Sequence, residues 1–248
     1  EKIVRAGIPN IWLADSNFGA LKDDLEKARL ICELKERHGL PRTFATSWSK
    51  KHSPRVQEIV LMLHEHGLLP FYQLALQTLT PRALELCHRE NMAANEYEPI
   101  ARRMAEAGIP ISAELIWGLP GDDLASFERN LDRLLATFPN INIFGYTLLP
   151  GTEFHERREE YRIETLPVAG YGKAHGEYVV GCHTFGRAEG EEGYFLITAH
   201  VILLSGYVLA HTARYLALAT DVPVGRMLRV VLDALLQAFA AQLPGLDA

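Results

Sequence analysis

Apolar runs alternate with amphipathic, charged stretches through roughly the first 150 positions, and the joint between them repeats. Ala6-Gly7-Ile8-Pro9, His38-Gly39-Leu40-Pro41, His66-Gly67-Leu68-Leu69-Pro70 and Ala107-Gly108-Ile109-Pro110 each close a helical pattern and precede an apolar run. A glycine at that place suits a helix C-cap, and the proline suits the entry to a strand. The pattern predicts strands at 11–14, 43–47, 71–76, 111–117 and 141–148, with helices near 21–37, 54–66, 81–107 and 123–137. Alternation at this spacing requires right-handed crossovers and a parallel sheet, either open or curled into a barrel.

The pattern changes after Pro150-Gly151-Thr152. A charged helix at 153–162, a glycine- and histidine-rich connection through 193, and two long helical patterns at 188–219 and 223–243 are expected. Asp221-Val222-Pro223 marks the break between the last two, since proline is favoured in a helix's first turn. Residues 194–213 hold no Asp, Glu, Lys or Arg and reach the length of a membrane span. His200, His211 and Arg214 recur at near-helical intervals, and Ser205 and Gly206 interrupt the run, so the segment reads as a buried or bridging helix and no membrane partner is expected.

A chain of 248 residues with 48% apolar content can bury a large core. Its 25 basic and 31 acidic residues leave a net charge of −6, which disfavours nucleic acid as a partner. Cys32, Cys87 and Cys182 form no Cys-x-x-Cys pair and leave one over, which argues for a reducing, cytoplasmic setting. The chain opens at Glu1 in a helix-like end without a signal or transit pattern, and reads as a piece of something longer.

In parallel α/β folds ligands bind at the carboxyl ends of the strands. Those ends are polar here: Asp15-Ser16-Asn17-Phe18-Gly19, Thr46-Ser47-Trp48-Ser49, Gln77-Thr78, Gly118-Leu119-Pro120-Gly121 and Pro150-Gly151-Thr152. Glu114 is the one acidic residue in its apolar run and is expected to point inward, where it can bind hydroxyls. The Gly118-to-Gly121 turn lets backbone approach a ligand closely, and Asp122, Asp123 and Ser126 open the next helix.

Leu76-Gln77-Thr78-Leu79-Thr80-Pro81, then His88-Arg89-Glu90-Asn91, then Glu114-Leu-Ile-Trp-Gly-Leu-Pro-Gly121 and Leu149-Pro150-Gly151-Thr152 together resemble the core of the radical S-adenosylmethionine (SAM) superfamily. The resemblance runs in order from residue 1 to about 162. It implies a partial (β/α) TIM-like barrel of parallel strands at 1–152, lacking its first strand, with a C-terminal helical region at 153–248. By likeness to oxygen-independent coproporphyrinogen III dehydrogenases, it implies that Gln77 and Glu114 face the ribose hydroxyls of SAM and that Arg89 pairs with its methionyl carboxylate. Asp15, Asn17, Ser47, Gly118 and Leu149 complete the expected cofactor-binding set. The segment Glu177-Tyr-Val-Val-Gly-Cys-His-Thr-Phe185 and Asp15-Ser16-Asn17-Phe18 are similar to the cobalamin-dependent methyltransferase group of that superfamily. That similarity implies methylation of an unactivated carbon in a small-molecule or peptide substrate of natural-product biosynthesis, tryptophan among them.

The superfamily holds a 4Fe-4S cluster through Cys-x3-Cys-x2-Cys, which this chain does not contain. Cluster cysteines and a cobalamin-binding domain are therefore expected in upstream segments of the same protein, no metal ligand is assigned here, and catalytic residues are not identified. Two rivals remain at this stage: a cobalamin-independent radical SAM oxidoreductase of the coproporphyrinogen dehydrogenase type, and a non-catalytic SAM- or haem-binding module. Bland roles stand beside the sharp ones. Asp15 and Asn17 are common turn residues, Cys87 suits packing, and Trp48, Tyr146 and Tyr207 suit either a core or a pocket.

Overall fold

The structure, a computed structural model, describes residues 2–89, 97–169, 175–205 and 208–240. Tyr207, Gly206 and the Glu90-Asn91 pair lie outside the described residues. The element order through the first part is α1 (Lys2–Arg5), β1 (Asn10–Phe18), α2 (Asp24–His38), β2 (Thr43–Trp48), α3 (Pro54–Glu65), β3 (Tyr72–Gln77), α4 (Pro81–Leu86), α5 (Tyr97–Glu106), β4 (Ile111–Trp117), α6 (Leu124–Thr137) and β5 (Asn140–Gly145). β1 pairs with β2 in parallel, and β3, β4 and β5 form a three-stranded sheet in that order. Helical crossovers connect these strands, which lie in parallel-strand sheets.

The repeated glycine phrase ends helices as expected. Gly7, Gly39, Gly67 and Gly108 take φ of 70°, 69°, 62° and 73°. After α3 the Leu68 N–H donates to Leu63 O at 2.8 Å, and after α5 the Ile109 N–H donates to Met104 O at 2.9 Å, the six-to-one bond that satisfies a terminal carbonyl. The entries to successive strands then bond one another: Phe44 N–H to Leu68 O at 2.8 Å and Tyr72 N–H to Pro110 O at 2.7 Å.

By contact the chain divides into two compact units, one of residues 1–77, 90–114 and 137–142, the other of residues 78–89, 115–136 and 143–248. In the first, strand parity puts Phe44 and Trp48 of β2 and Tyr72, Leu74 and Leu76 of β3 in the core, with Val56, Ile59, Val60 and Leu63 of α3. Trp48 meets Tyr72 edge-on at 5.5 Å and Phe18 at 6.0 Å, so it is a core residue. His52 is buried beside them with Nδ1 2.6 Å from the Tyr72 hydroxyl, and burial, then Lys50, push its imidazole down to about 4.

The second unit differs from the sequence expectation. Only Glu153–Glu156 of the charged stretch is helical (α7), and the expected connection instead contains an antiparallel pair, β7 (Glu164–Ala169) and β8 (His175–Gly181). β8 also pairs with the short β6 (Thr147–Leu148). These strands carry Glu164, Pro167 and Glu177, and ion pairing of Glu177 with Arg158 stabilises a polar face that apolar alternation does not announce.

Of the two long C-terminal helices, the first is broken into α8 (Arg187–Ala199), a π-helical turn (His200–Ser205) and α9 (Ala210–Thr220), while the second is the single α10 (Val224–Ala240). No single described helix is long and apolar enough to cross a membrane; Arg187–Ser205 and Ala210–Thr220 pass that test only as a pair bent by 106°. Within the pair, Leu196, Leu203 and Leu204 are buried while Val201 and Ile202 are exposed.

Trp117 is the centre of this unit. Its ring lies 4.9 Å from Phe127 and 4.7 Å from Phe185, and its Nε1 donates to Gly190 O at 3.0 Å. A Cβ on Gly193 would sit 2.2 Å from the Trp117 ring, and one on Gly190 1.8 Å from Val180 O. Helix α8 reaches β8 and Trp117 only because those two positions lack side chains.

Gly67→Ala should lower the stability of the intact protein by about 1 kcal/mol in urea unfolding, and Gly67→Asn by less, because Asn tolerates a left-handed φ. Equal losses would mean that φ is not the constraint at this position. Gly190→Ala should cost more, at least about 2 kcal/mol, because its clash is with backbone rather than with a flexible side chain.

Candidate active site

In the first unit, the face of the strands opposite the aromatic core carries Ala45 and Ser47 of β2, Gln73, Ala75 and Gln77 of β3, and Glu114 of β4. A polar cleft of about 40 Å³ is lined there by Thr46, Ser47, Trp48, Lys50, Gln73, Ala75 and Glu114. The Gln73 Nε2 donates to Glu114 Oε1 at 2.8 Å, so the half-buried carboxylate has a donor against its partial loss of water. The Thr46 hydroxyl is turned away to Leu13 O at 3.2 Å.

Ser47 and Glu114 are thus brought together, while Asp15, Asn17 and Gln77 are not among the residues lining the cleft. Asp15 Oδ1 accepts the Asn17 N–H at 2.8 Å, and Asn17 Oδ1 accepts the Lys50 N–H at 3.4 Å, tying the end of β1 to the loop after β2. Contacts to backbone N–H groups at the irregular end of β1 therefore account for both side chains' placement. Gln77 ends β3 on the face of Gln73 and Ala75, with φ of 63°, a left-handed conformation that costs energy for a residue with a side chain.

Arg89, Gly118 and Leu149 belong to the second unit. α4 ends in the same six-to-one bond as the glycine joints, Arg89 N–H to Leu84 O at 2.9 Å, with His88 at φ of 50° in the glycine's place. The neighbouring Cys87 thiol is pushed up to about 11 by burial, against the lowering effect of the Arg89 guanidinium, which suits packing and not nucleophilic chemistry. Gly118 and Gly121 have φ of 98° and 93°, and a Cβ on Gly121 would meet Arg82 and Ala83 backbone at 2.9 Å. The Gly121 N–H donates to the Thr184 hydroxyl at 3.1 Å, so the Gly-Cys-His-Thr-Phe segment braces the turn. Leu149 is exposed, and its carbonyl accepts the Thr152 hydroxyl at 2.7 Å. Tyr146 continues the ladder, N–H to Trp117 O at 2.7 Å, and burial pushes its phenol up to about 12.

Asp122 holds this turn to the loop after β3. Its carboxylate is buried and accepts the Thr80 hydroxyl at 2.7 Å, the Asp123 N–H at 3.0 Å and the Thr78 hydroxyl at 3.5 Å. Asn130 Nδ2 in turn donates to the Thr80 hydroxyl at 3.0 Å. Burial pushes the Asp122 carboxyl up to about 6, against the lowering effect of its donors. Asp123 caps α6 through the Ser126 N–H at 2.8 Å and hydroxyl at 2.6 Å; its burial is outweighed, and the carboxyl stays below the usual range.

Sequence reasoning missed Gln73, Lys50, Thr78 and Thr80 as site-building residues. Gln73 had a signal, since it lies two and four residues before Ala75 and Gln77, and strand parity puts all three on one face. The three cysteines are free, and among the described residues no group of three His, Cys, Asp or Glu side chains is placed to hold a metal ion.

No protein-family model matches the chain. It is 28% identical over 171 residues to the cobalamin-dependent radical SAM methyltransferase TokK of Streptomyces tokunonensis, covering 67% of this chain and 25% of that protein. It is 25% identical over 228 residues to the 2-(S-pantetheinyl)-carbapenam-3-carboxylate methyltransferase of Streptantibioticus cattleyicolor, covering 87% of this chain and 34% of that protein. Among solved structures, the fold matches the radical SAM methyltransferase TsrM of Kitasatospora setae with tryptophan substrate and the SAM analogue aza-SAM bound, at a TM-score of 0.55 and 17% identity over 68% of this chain and 34% of that one. A second structure of TsrM has cobalamin and a 4Fe-4S cluster bound.

The parallel strands and their helical crossovers thus match a fold found in radical SAM methyltransferases. The chain's homologues include cobalamin-dependent radical SAM methyltransferases, which supports the radical SAM superfamily. It spans about a quarter to a third of the length of these relatives.

Asp122 gives a pH test of the braced turn. A folded carboxyl raised to about 6 contributes stability that is present below about pH 4 and lost as the pH rises through 6. Asp122→Asn should therefore gain stability relative to the native protein between pH 4 and 7, by on the order of 2–3 kcal/mol in denaturant unfolding. A difference that stays constant across that range would show that Asp122 is not buried as a strained carboxylate.

Proposed function

We propose that this chain is the SAM-holding portion of a cobalamin-dependent radical SAM methyltransferase that acts on an unactivated carbon of a small natural-product substrate. The observation that carries the reading is Glu114, held by Gln73 on the inward face of β4 in a small polar cleft, within a chain homologous to such enzymes over most of its length. The polar atoms of the cleft suit the ribose edge of SAM, because carboxylate and amide oxygens accept from a diol. In this reading Glu114 and Gln77 accept the ribose hydroxyls, Arg89 pairs with the methionyl carboxylate, and the Gly118 turn lets backbone approach the nucleoside. Ser47 at the cleft edge, Asp15 and Asn17 at the end of β1, and the Leu149 turn complete the proposed set. Bound SAM supplies an electrophilic methyl group. The described cysteines and histidines do not form a cluster site, so the 4Fe-4S ligands and the cobalamin-binding domain are assigned to other segments of the protein.

The substrate is proposed to be a small molecule with an unreactive carbon. Tryptophan, bound in the TsrM structure, and the carbapenam carboxylate named for the Streptantibioticus enzyme are the two compounds to assay. The full-length protein, reconstituted anaerobically with iron, sulfide and cobalamin, should show thiolate-to-iron absorption and transfer the labelled SAM methyl group to one of them. Failure to take up a cluster would overturn the radical SAM methyltransferase reading. Arg89→Ala should weaken SAM binding by about 1.5–3 kcal/mol in equilibrium dialysis. Unchanged affinity would remove Arg89 from the site.

A further inference from the structure

We propose that Gln73 is a positioning residue for Glu114, fixing the carboxylate that binds the ribose hydroxyls of SAM; the inference rests on the proposed role of Glu114. Gln73 and Glu114 stand on neighbouring strands, their side chains fall on the same face by strand parity, and Gln73 Nε2 lies 2.8 Å from Glu114 Oε1. The chemistry of the donor matters. An amide donates a hydrogen bond to the carboxylate without adding a charge of its own.

Space reinforces the geometry. The cleft offers about 40 Å³, bounded by Ser47, Lys50 and Ala75 as well as the pair itself. The amide occupies part of that space beside the carboxylate and restricts the rotamers open to the Glu114 side chain. An acceptor held in one orientation before the ligand arrives loses less freedom on binding.

The test uses the full-length, cluster-loaded protein and equilibrium binding of SAM, with thermal unfolding followed in parallel. Gln73→Ala should weaken SAM binding about three- to tenfold, and should have no further effect in a Glu114→Gln background, because the two residues act as one unit. Gln73→Glu preserves shape but sets two carboxylates face to face. They must share a proton, so binding should be weak near about pH 8 and recover toward about pH 6, a pH dependence that a purely structural role would not produce. Wild-type affinity in Gln73→Ala together with weakened binding in Glu114→Gln would overturn the inference and leave the role of Glu114 standing. An equal loss from Gln73→Ala with and without the Glu114 carboxylate would also overturn it. If Glu114→Gln binds SAM as the native protein does, the ribose role of Glu114 falls, and this inference with it.

Discussion

Helix termination sets the geometry on which the rest of this structure depends. Each crossover helix in the first unit must stop within a residue of a fixed point, because its last carbonyls need partners and the chain must turn back toward the sheet. A glycine at positive φ provides both at four helix ends, Gly7, Gly39, Gly67 and Gly108. The strand that follows starts from that point, so its register is set by where the helix ended. A slip of one residue would exchange the two faces of β3 or β4, sending Gln73 and Glu114 into the aromatic core and Tyr72 or Leu74 into the cleft. The cleft is thus a consequence of helix caps as much as of the polar residues that line it.

The second unit solves a different problem, that of holding a glycine-rich turn in one conformation. The turn from Gly118 to Gly121 has few side chains of its own with which to pack. It is held instead by two neighbours: Thr184 bonded to the Gly121 amide, and Asp122 bonded to Thr80. Burying Asp122 costs energy, and its raised carboxyl shows that cost. The loop that follows Gln77 and the turn that follows Trp117 are joined through that one carboxylate. A satisfied buried polar network of this kind stiffens the turn it joins.

Both units place polar atoms where an inward strand face or a strand end exposes them, but they do so with different materials. The first relies on alternation along strands, which any local reading of the sequence can follow. The second relies on packing between segments far apart in the chain, such as Gly190 and Gly193 against Val180 and Trp117. Glycines in those two positions look like helix-weakening residues until the partner surface is known.

The sequence by itself determined the succession of helices and parallel strands, the helix ends at Gly7, Gly39, Gly67 and Gly108, and the inward position of Glu114, because each follows from local periodicity and local backbone chemistry. The motifs at its strand ends, in their order, also resemble those of the radical SAM superfamily. It did not disclose the β7–β8 pair or the breaks near His200, since those strands are polar and proline-bearing and their partners are remote in sequence. Only the tertiary structure decided that Asp15 and Asn17 bond backbone at the irregular end of β1, that Trp48 is core, that Gln73 bonds Glu114 and that Asp122 bonds Thr80. A hydrogen bond between side chains 41 or 42 residues apart leaves no trace in the local pattern; it exists only once the strands have been set side by side.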